Sequence, residues 1–590
     1  MIEKKSIIFH FIAYSFLFLL LLSYADTGVV GDDILNSLIC GDAINKGTTF
    51  GQDVLFYLKE LLKQGRTNVV SSTITYLTFY VFKNRVVYKI WIAFLTLVTL
   101  FCGEKFFEYH FQNKKAGVMF CCISISIIPL YYSGSNSYVM YNGFMQYQVI
   151  MLFMIMYFFE KYVRESQKKY LVISCVLYLV SFFVYEISIL YFIPIVGISI
   201  ALRGREIKKL IQPYFFILLG SGFFILIVRI ASKLFSAEQV NYDGVSFGFD
   251  IIALIKTFLI QFSGGIPLNG IISENIVASE IARINKPFEF IVIAIASWAV
   301  LLILFLLANT QYNDEQAIRN KARILSIVVP ASLIWVGISG MISLSQKYQK
   351  ELPITHFPHI PAFVESYCCA AIITSLYFLL NNKRIRFFLM ILFCLIGCIN
   401  ASASVLYAKQ YEEQTGIYKE IPEAYQEAID AGLLEMIDDE DLVLIDVNYS
   451  PTLYPNHLAL YANKRVIAKR LDVYLQELSD LFNSSQFDYY PEKDIYITKC
   501  FLSDDQRVVY LDKISKIIIN NEGQYIEVSN INSWCDTKQK NDYLYVKANN
   551  QDFYVQTKDC KVRCKKNGEI IELPSGNYNY HSYTFWGEIQ

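Results

Sequence analysis

Eleven apolar runs punctuate the first 405 residues of this 590-residue chain, and no water-soluble core could bury them all. A hydrocarbon layer ~30 Å thick is crossed by ~20 mostly apolar helical residues, and shorter spans serve where neighbours pack against them. The runs lie at 6–24, 87–103, 117–132, 145–160, 170–185, 187–203, 212–229, 287–308, 323–340, 361–380 and 386–405. They predict a polytopic α-helical membrane protein with about 11 transmembrane helices. The first run follows Lys4 and Lys5 as a signal peptide would, but it is long for a cleaved segment and reads as an uncleaved anchor.

Charge separates two regions. Residues 1–405 carry 33 Lys+Arg against 23 Asp+Glu, whereas residues 406–590 carry 19 against 30, so the overall charge of −1 conceals a basic membrane part and an acidic tail. With 54% hydrophobic residues, the chain is neither disordered nor an ordinary soluble enzyme. Neither region is basic enough to imply a nucleic-acid partner.

Lysine and arginine in the connections set the orientation. With the N-terminus cytoplasmic, the inner segments 1–5, 104–116, 161–169, 203–210, 309–323 and 381–386 hold 19 Lys+Arg in 56 residues. The outer loops 25–86, 133–144, 230–286 and 341–360 hold 12 in 151. An odd number of crossings then places the tail outside the cell (plasma or inner) membrane. Counting 68–82 as a further crossing would reverse this charge bias, so that segment reads as an interfacial or re-entrant helix. Residues 250–262 alternate at helical spacing and read as lying along the outer surface.

Residues 406–590 read as a soluble extracytoplasmic α/β domain. Helical periodicity covers 421–437, residues 441–447 (DLVLIDV) form a buried-strand run, and 507–520 and 542–554 continue with helix and strand signals. Nine of the 13 cysteines lie in the membrane part, where a thiol behaves as a small hydrophobe. Cys500, Cys535, Cys560 and Cys564 lie in the tail, where one or two disulfides of undetermined pairing fit an external compartment better than a metal site does.

The most informative short stretch is 31–37 (GDDILNS), at the exit of the first span. Asp32 suits an N-cap and Asp33 the first helical turn, positions that favour ionised carboxylates. An ionised carboxylate accepts a hydroxyl proton or holds a divalent cation. One aspartate suffices as a cap, so the second calls for a function.

This layout resembles the GT-C superfamily of integral-membrane glycosyltransferases: one span, a long acidic first outer loop, about ten further spans and a soluble external C-terminal domain. It is most similar to bacterial members that use polyprenyl-phosphate sugars to modify surface polysaccharides. The resemblance covers residues 1–405 in layout and rests on Asp32 and Asp33 as its motif. It implies that a first-loop carboxylate is the catalytic base or a ligand of Mg or Mn, with the division between Asp32 and Asp33 open. It also implies a polyprenyl-phosphate sugar donor and a glycan or glycolipid acceptor.

Glycosyl transfer from a lipid phosphate needs one base for an inverting displacement and positive charge for the departing phosphate. Arg66, Arg283, Lys286, Lys347 and Lys350 stand at outer span ends, where snorkelling is the common alternative role. His356 and His359 lie in the proline-rich loop 346–361, expected to be extended or turned rather than helical, and fit phosphate or acceptor contacts. Glu186 sits at a hairpin tip in an apolar stretch, either as a second catalytic carboxylate or as a headgroup-level residue. The uncharged loop 133–148 offers hydroxyls, amides and tyrosines suited to sugar, with Tyr138, Asn142 and Gln146 at helical spacing. A flippase or transporter of lipid-linked saccharides, a polysaccharide polymerase or ligase, and a scaffold displaying its tail are the competing readings. The first predicts ionisable groups near mid-membrane, and the last leaves the paired aspartates without a role.

Overall fold

The computed structural model describes residues 2–29, 32–130, 138, 141–203, 206–235, 246–269, 287–311, 320–355, 358–380 and 382–414, together with strands and a few single positions between 442 and 580. Contacts divide the chain into two compact units. The first comprises 1–33 and 54–416, and the second comprises 34–53 and 417–590.

Seventeen α-helices fall within the described residues. They are α1 (Ile2–Leu22), α2 (Asp32–Asn36), α3 (Ile39–Lys46), α4 (Phe50–Lys63), α5 (Val69–Val81), α6 (Arg85–Phe111), α7 (Lys114–Ile127), α8 (Phe144–Glu165), α9 (Lys168–Val184), α10 (Phe192–Arg203), α11 (Ile207–Phe235), α12 (Ile251–Ser263), α13 (Pro287–Gln311), α14 (Lys321–Ser343), α15 (Gln346–Thr355), α16 (Ala362–Leu379) and α17 (Lys383–Gln414). Seven of them, α6, α8, α11, α13, α14, α16 and α17, are long and apolar enough to cross a membrane. The chain is a polytopic helical membrane protein.

The expected spans 117–132, 170–185 and 187–203 coincide with shorter helices, and 6–24 falls on α1, whose apolar stretch is Ser6–Leu22. At ~1.5 Å per residue, the 14-residue α7 reaches only ~21 Å. It is buried on every side from Lys115 to Ile127, so it belongs to the centre of the bundle. Against it, the Phe120 ring stacks on Phe107 at 4.3 Å and meets Phe153 of α8 edge-on at 5.5 Å. By contrast α11 and α13 leave most of their apolar surface exposed, as helices facing lipid do. Residues 68–82 form α5, 13 residues long and packed against α8 and α9.

The sequence segments joining α6–α7, α8–α9, α10–α11, α13–α14 and α16–α17 are the Lys- and Arg-rich ones. Among the described residues, buried carboxylates join helices because each is paired. Glu160 of α8 takes His110 of α6 at 2.7 Å and the Arg164 guanidinium, while His110 also reaches the Arg323 carbonyl of α14 at 3.0 Å. Glu104 of α6 takes His10 at 2.7 Å and the Tyr14 hydroxyl at 2.9 Å, which fastens α1.

In the second unit the described residues from 442 onward form strands, apart from helical positions at 456, 459 and 460 and single positions at 463 and 465. Leu442–Asp446 pairs in parallel with both Ile467–Arg470 and Arg507–Asp512, inside a seven-stranded sheet. Residues 507–520 and 542–554, which carried mixed helix and strand signals, form antiparallel hairpins. Their Val- and Ile-rich alternation suits a pleated surface better than a helix. The helix expected at 421–437 lies outside the described residues.

Candidate functional site

The chain leaving α1 is pinned before it reaches the two aspartates. The Tyr24 hydroxyl donates to the Leu130 carbonyl, and the Arg85 guanidinium donates to the carbonyls of Thr27 at 2.8 Å and Ala25 at 3.3 Å. Arg85 opens α6, so residues 32 and 33 arrive beside the N-terminal turns of that helix.

The two acids then part. Asp32 is the first residue of the five-residue α2 and is exposed, whereas Asp33 is completely buried. Asp33 Oδ2 accepts from the Tyr88 hydroxyl and, at 3.4 Å, from the Asn142 backbone N–H. That N–H also donates to Tyr88 Oη at 2.8 Å, and the Phe79 ring lies 4.6 Å from the Tyr88 ring. Lys89 is buried beside them, within electrostatic reach of Asp33 and Arg85.

The Asn142 N–H is aimed by an unusual backbone. Tyr141, Asn142 and Gly143 have φ of 64°, 44° and 77°, three left-handed residues in a row. Each of the two non-glycine residues costs roughly 1–2 kcal/mol in that region, so other contacts must hold them. The Asn142 side chain supplies one by donating to Thr75 Oγ1 of α5. This break also corrects the expected helical register of Tyr138, Asn142 and Gln146, because α8 begins only at Phe144. Gln146 is buried and donates to Thr96 at 3.3 Å, and Tyr138 packs its ring 4.8 Å from Phe363.

A second cluster gathers around Glu186, which opens the 3-10 turn Glu186–Tyr191 after α9. Its Oε1 accepts from the Thr67 hydroxyl at 3.0 Å, and its Oε2 is ion-paired with Arg229 of α11. Thr67 is placed by the end of α4. There Gly65 N–H donates to Leu62 O and Arg66 N–H to Leu61 O, with Gly65 at φ 75°, which is the left-handed helix stop that glycine favours. A Cβ on Gly65 would come within 2.7 Å of Ser232 Oγ, so the turn rests directly on α11.

Half-buried Arg66 and exposed Asp32 both act on Tyr57 of α4. Burial raises the Tyr57 hydroxyl pKa, Arg66 opposes the rise and Asp32 adds to it. Tyr411, in the last turn of α17, is raised by burial, Tyr407, Tyr141 and Asp33.

The loop 346–361 is helical over its first ten residues, contrary to the extended path expected from its prolines. Pro353 sits in the last turn of α15, where its missing N–H removes one helical bond near the helix end. Packing on α12 and α14 supports the helix, and Gln349 Nε2 donates to Gly248 O and Ser343 O, each at 2.8 Å. Lys347 lies 3.8 Å from Glu351, and Lys350 is exposed. The His359 ring lies 4.1 Å from that of Tyr348, tilted by 35°, and burial followed by Lys347 lowers its imidazole to about 3. It is therefore neutral near pH 7. Gln261 of α12 binds both the N–H and the carbonyl of His359, and its amide also donates to the buried Glu365 at 3.2 Å.

Arg283, Lys286 and His356 lie outside the described residues. The structure brings Asn142 to Asp33, and Arg66 and Asp32 to Tyr57. Tyr88, Lys89, Thr75, Thr67 and Arg229 had not been singled out from the sequence. Lys89 and Arg229 carry a readable signal, a charge one turn inside an apolar run, which ordinary snorkelling explains equally well. Among the described residues no three His, Cys, Asp or Glu side chains form a cation-binding group.

No family model and no curated protein matches this chain. Among solved structures it is similar to ArnT from Cupriavidus metallidurans bound to undecaprenyl phosphate, at 11% identity and a TM-score of 0.34, over 90% of this chain and 98% of that one.

Proposed function

We propose that this chain is an integral-membrane glycosyltransferase that moves a sugar from a polyprenyl-phosphate donor to a cell-surface glycan or glycolipid. The observation that carries this reading is the division of labour between adjacent aspartates at one bundle end, Asp32 exposed and Asp33 buried and hydrogen-bonded. In this reading α1, α6, α7, α8, α9, α10, α11, α13, α14, α16 and α17 make eleven crossings, and the Lys- and Arg-rich connections are cytoplasmic. The aspartates and the strand-rich unit then face outward.

Asp32 is the base. An exposed carboxylate can meet an acceptor hydroxyl and take its proton as the oxygen attacks the anomeric carbon from the face opposite the phosphate, which inverts the configuration. Asp33 does not react. It orients Tyr88 and the Asn142 amide. The departing phosphate gathers two negative charges, and Arg66 and Arg229, both partly exposed, supply positive charge for it, with Arg283, Lys286, Lys347 and Lys350 as further contributors. A divalent cation would find Asp32 and the substrate's phosphate oxygens as its hard donors. Tyr138, Asn142 and Gln146 are buried, so their part in sugar binding is to shape the wall rather than to touch an incoming glycan directly.

The test is mass analysis of cell-surface glycans from cells that carry the wild-type chain, Asp32→Asn, or no chain. We expect a sugar modification that disappears with the chain and with Asp32→Asn, while the variant still inserts at normal abundance. Full modification by Asp32→Asn would remove the base assignment.

A further inference from the structure

We infer that the Glu186 carboxylate is a built-in competitor for the donor phosphate, a latch that occupies the anion site until a lipid-borne phosphate displaces it. This rests on the transferase reading above and concerns the regulation of the same site.

Glu186 takes the partners that a phosphate oxygen would take. Thr67 donates its hydroxyl to Oε1 at 3.0 Å, and Arg229 meets Oε2 through Nη2. A hydroxyl beside a guanidinium is a common way to hold a phosphate monoester, and arginine prefers to do so with two parallel N–H donors. Here the fork is half used, because Arg229 Nε is buried and has no hydrogen-bond partner among the described residues. A three-oxygen phosphate could engage Nε and Nη2 together, which the carboxylate in this position does not do.

The pair is also reachable. The Arg229 and Glu186 side chains keep 28% and 26% of their surface exposed, unlike the sealed Glu160–His110 pair. The flanking surface identifies the route. Leu226, Ile227 and Ile230 of α11 are all exposed, so Arg229 stands on an apolar face that meets lipid. A phosphate carried on a polyprenyl chain would arrive along that face, whereas free phosphate gains nothing from it. Gly65 seats the turn bearing Arg66 and Thr67 on the same stretch of α11, which adds a second cation.

Exchange of one anion for another leaves Arg229 paired in both states, and the displaced Glu186 carboxylate, 26% exposed, is solvated by water instead. The latch lowers apparent donor affinity by the fraction of sites that it closes. After transfer it competes again and helps to expel the spent carrier phosphate.

The experiment measures equilibrium binding of radiolabelled polyprenyl monophosphate to the full-length chain in nanodiscs, with inorganic phosphate as competitor. Glu186→Gln keeps the acceptor for Thr67 and removes the charge. It should bind the lipid phosphate about fivefold more tightly than wild type, the scale of a partly exposed ion pair, while Arg229→Gln binds more weakly. If Glu186→Gln does not fold, Glu186→Asp retracts the carboxylate and should show a smaller gain. Wild-type binding with unchanged or weaker binding by both Glu186 variants would overturn the latch and leave the transferase reading standing. Absence of lipid-phosphate binding by wild type and variants alike would overturn both. A gain confined to inorganic phosphate would overturn the lipid assignment.

Discussion

Asp32 and Asp33 are neighbours in sequence with opposite surroundings, and their substitutions should separate accordingly. Asp32→Asn changes an exposed group, so thermal stability in detergent should stay within about 0.5 kcal/mol of wild type while transfer is lost. Asp33→Asn disturbs a buried network and should lower stability by about 1–3 kcal/mol as well as activity. Equal stability losses in the two variants would contradict the division between them. His359 supplies a pH test. Its folded pKa of about 3 lies below the ordinary 6.5, so between those values the unfolded chain binds the extra proton. Its contribution is complete above pH 6.5 and is lost as pH falls through that window, at up to about 1.4 kcal/mol per pH unit. His359→Asn should therefore flatten the decline in melting temperature between pH 7 and 4, and an unchanged slope would place this imidazole in water.

At the level of elements, Gln261 is the clasp that holds α12 against α16. It serves the His359 backbone and the Glu365 carboxyl together, so Gln261→Leu should cost about 2 kcal/mol or more by orphaning both. The corresponding measurement is loss of the folded, monodisperse population on heating. Helix positions were largely legible in the sequence because an apolar run announces a buried or lipid-facing helix wherever it occurs. What could not be read were the joints. The Asn142 amide reaches Asp33 because the chain turns left-handed at Tyr141–Gly143, and the tyrosine there carries no sequence signal for such a turn. Pro353 misled in the other direction, since a proline in a final helical turn looks the same in sequence as one that prevents a helix.

For the whole molecule, the proposed eleven crossings put the two ends of the membrane region on opposite faces. A reporter active only outside the cytoplasm, fused after residue 414, should be active, and the same reporter fused within 312–319 should be silent. The reverse pattern would invert the arrangement. Lysine density is what the proposed orientation rests on, whereas the pairing of Glu186 with Arg229 left no such trace in the sequence, because it joins residues 43 positions apart across two helices.

The contact between the Asn142 main chain and Asp33 has a practical consequence. Every substitution at 142 except proline retains the donor, so an alanine scan would register only the loss of the Thr75 anchor and would assign the position a minor, peripheral part. Proline, locked near φ −65°, would wreck the turn for an unrelated reason. An amide-to-ester replacement at that one bond, made by nonsense suppression with a hydroxy acid, would delete the hydrogen alone and so isolate what the backbone contributes.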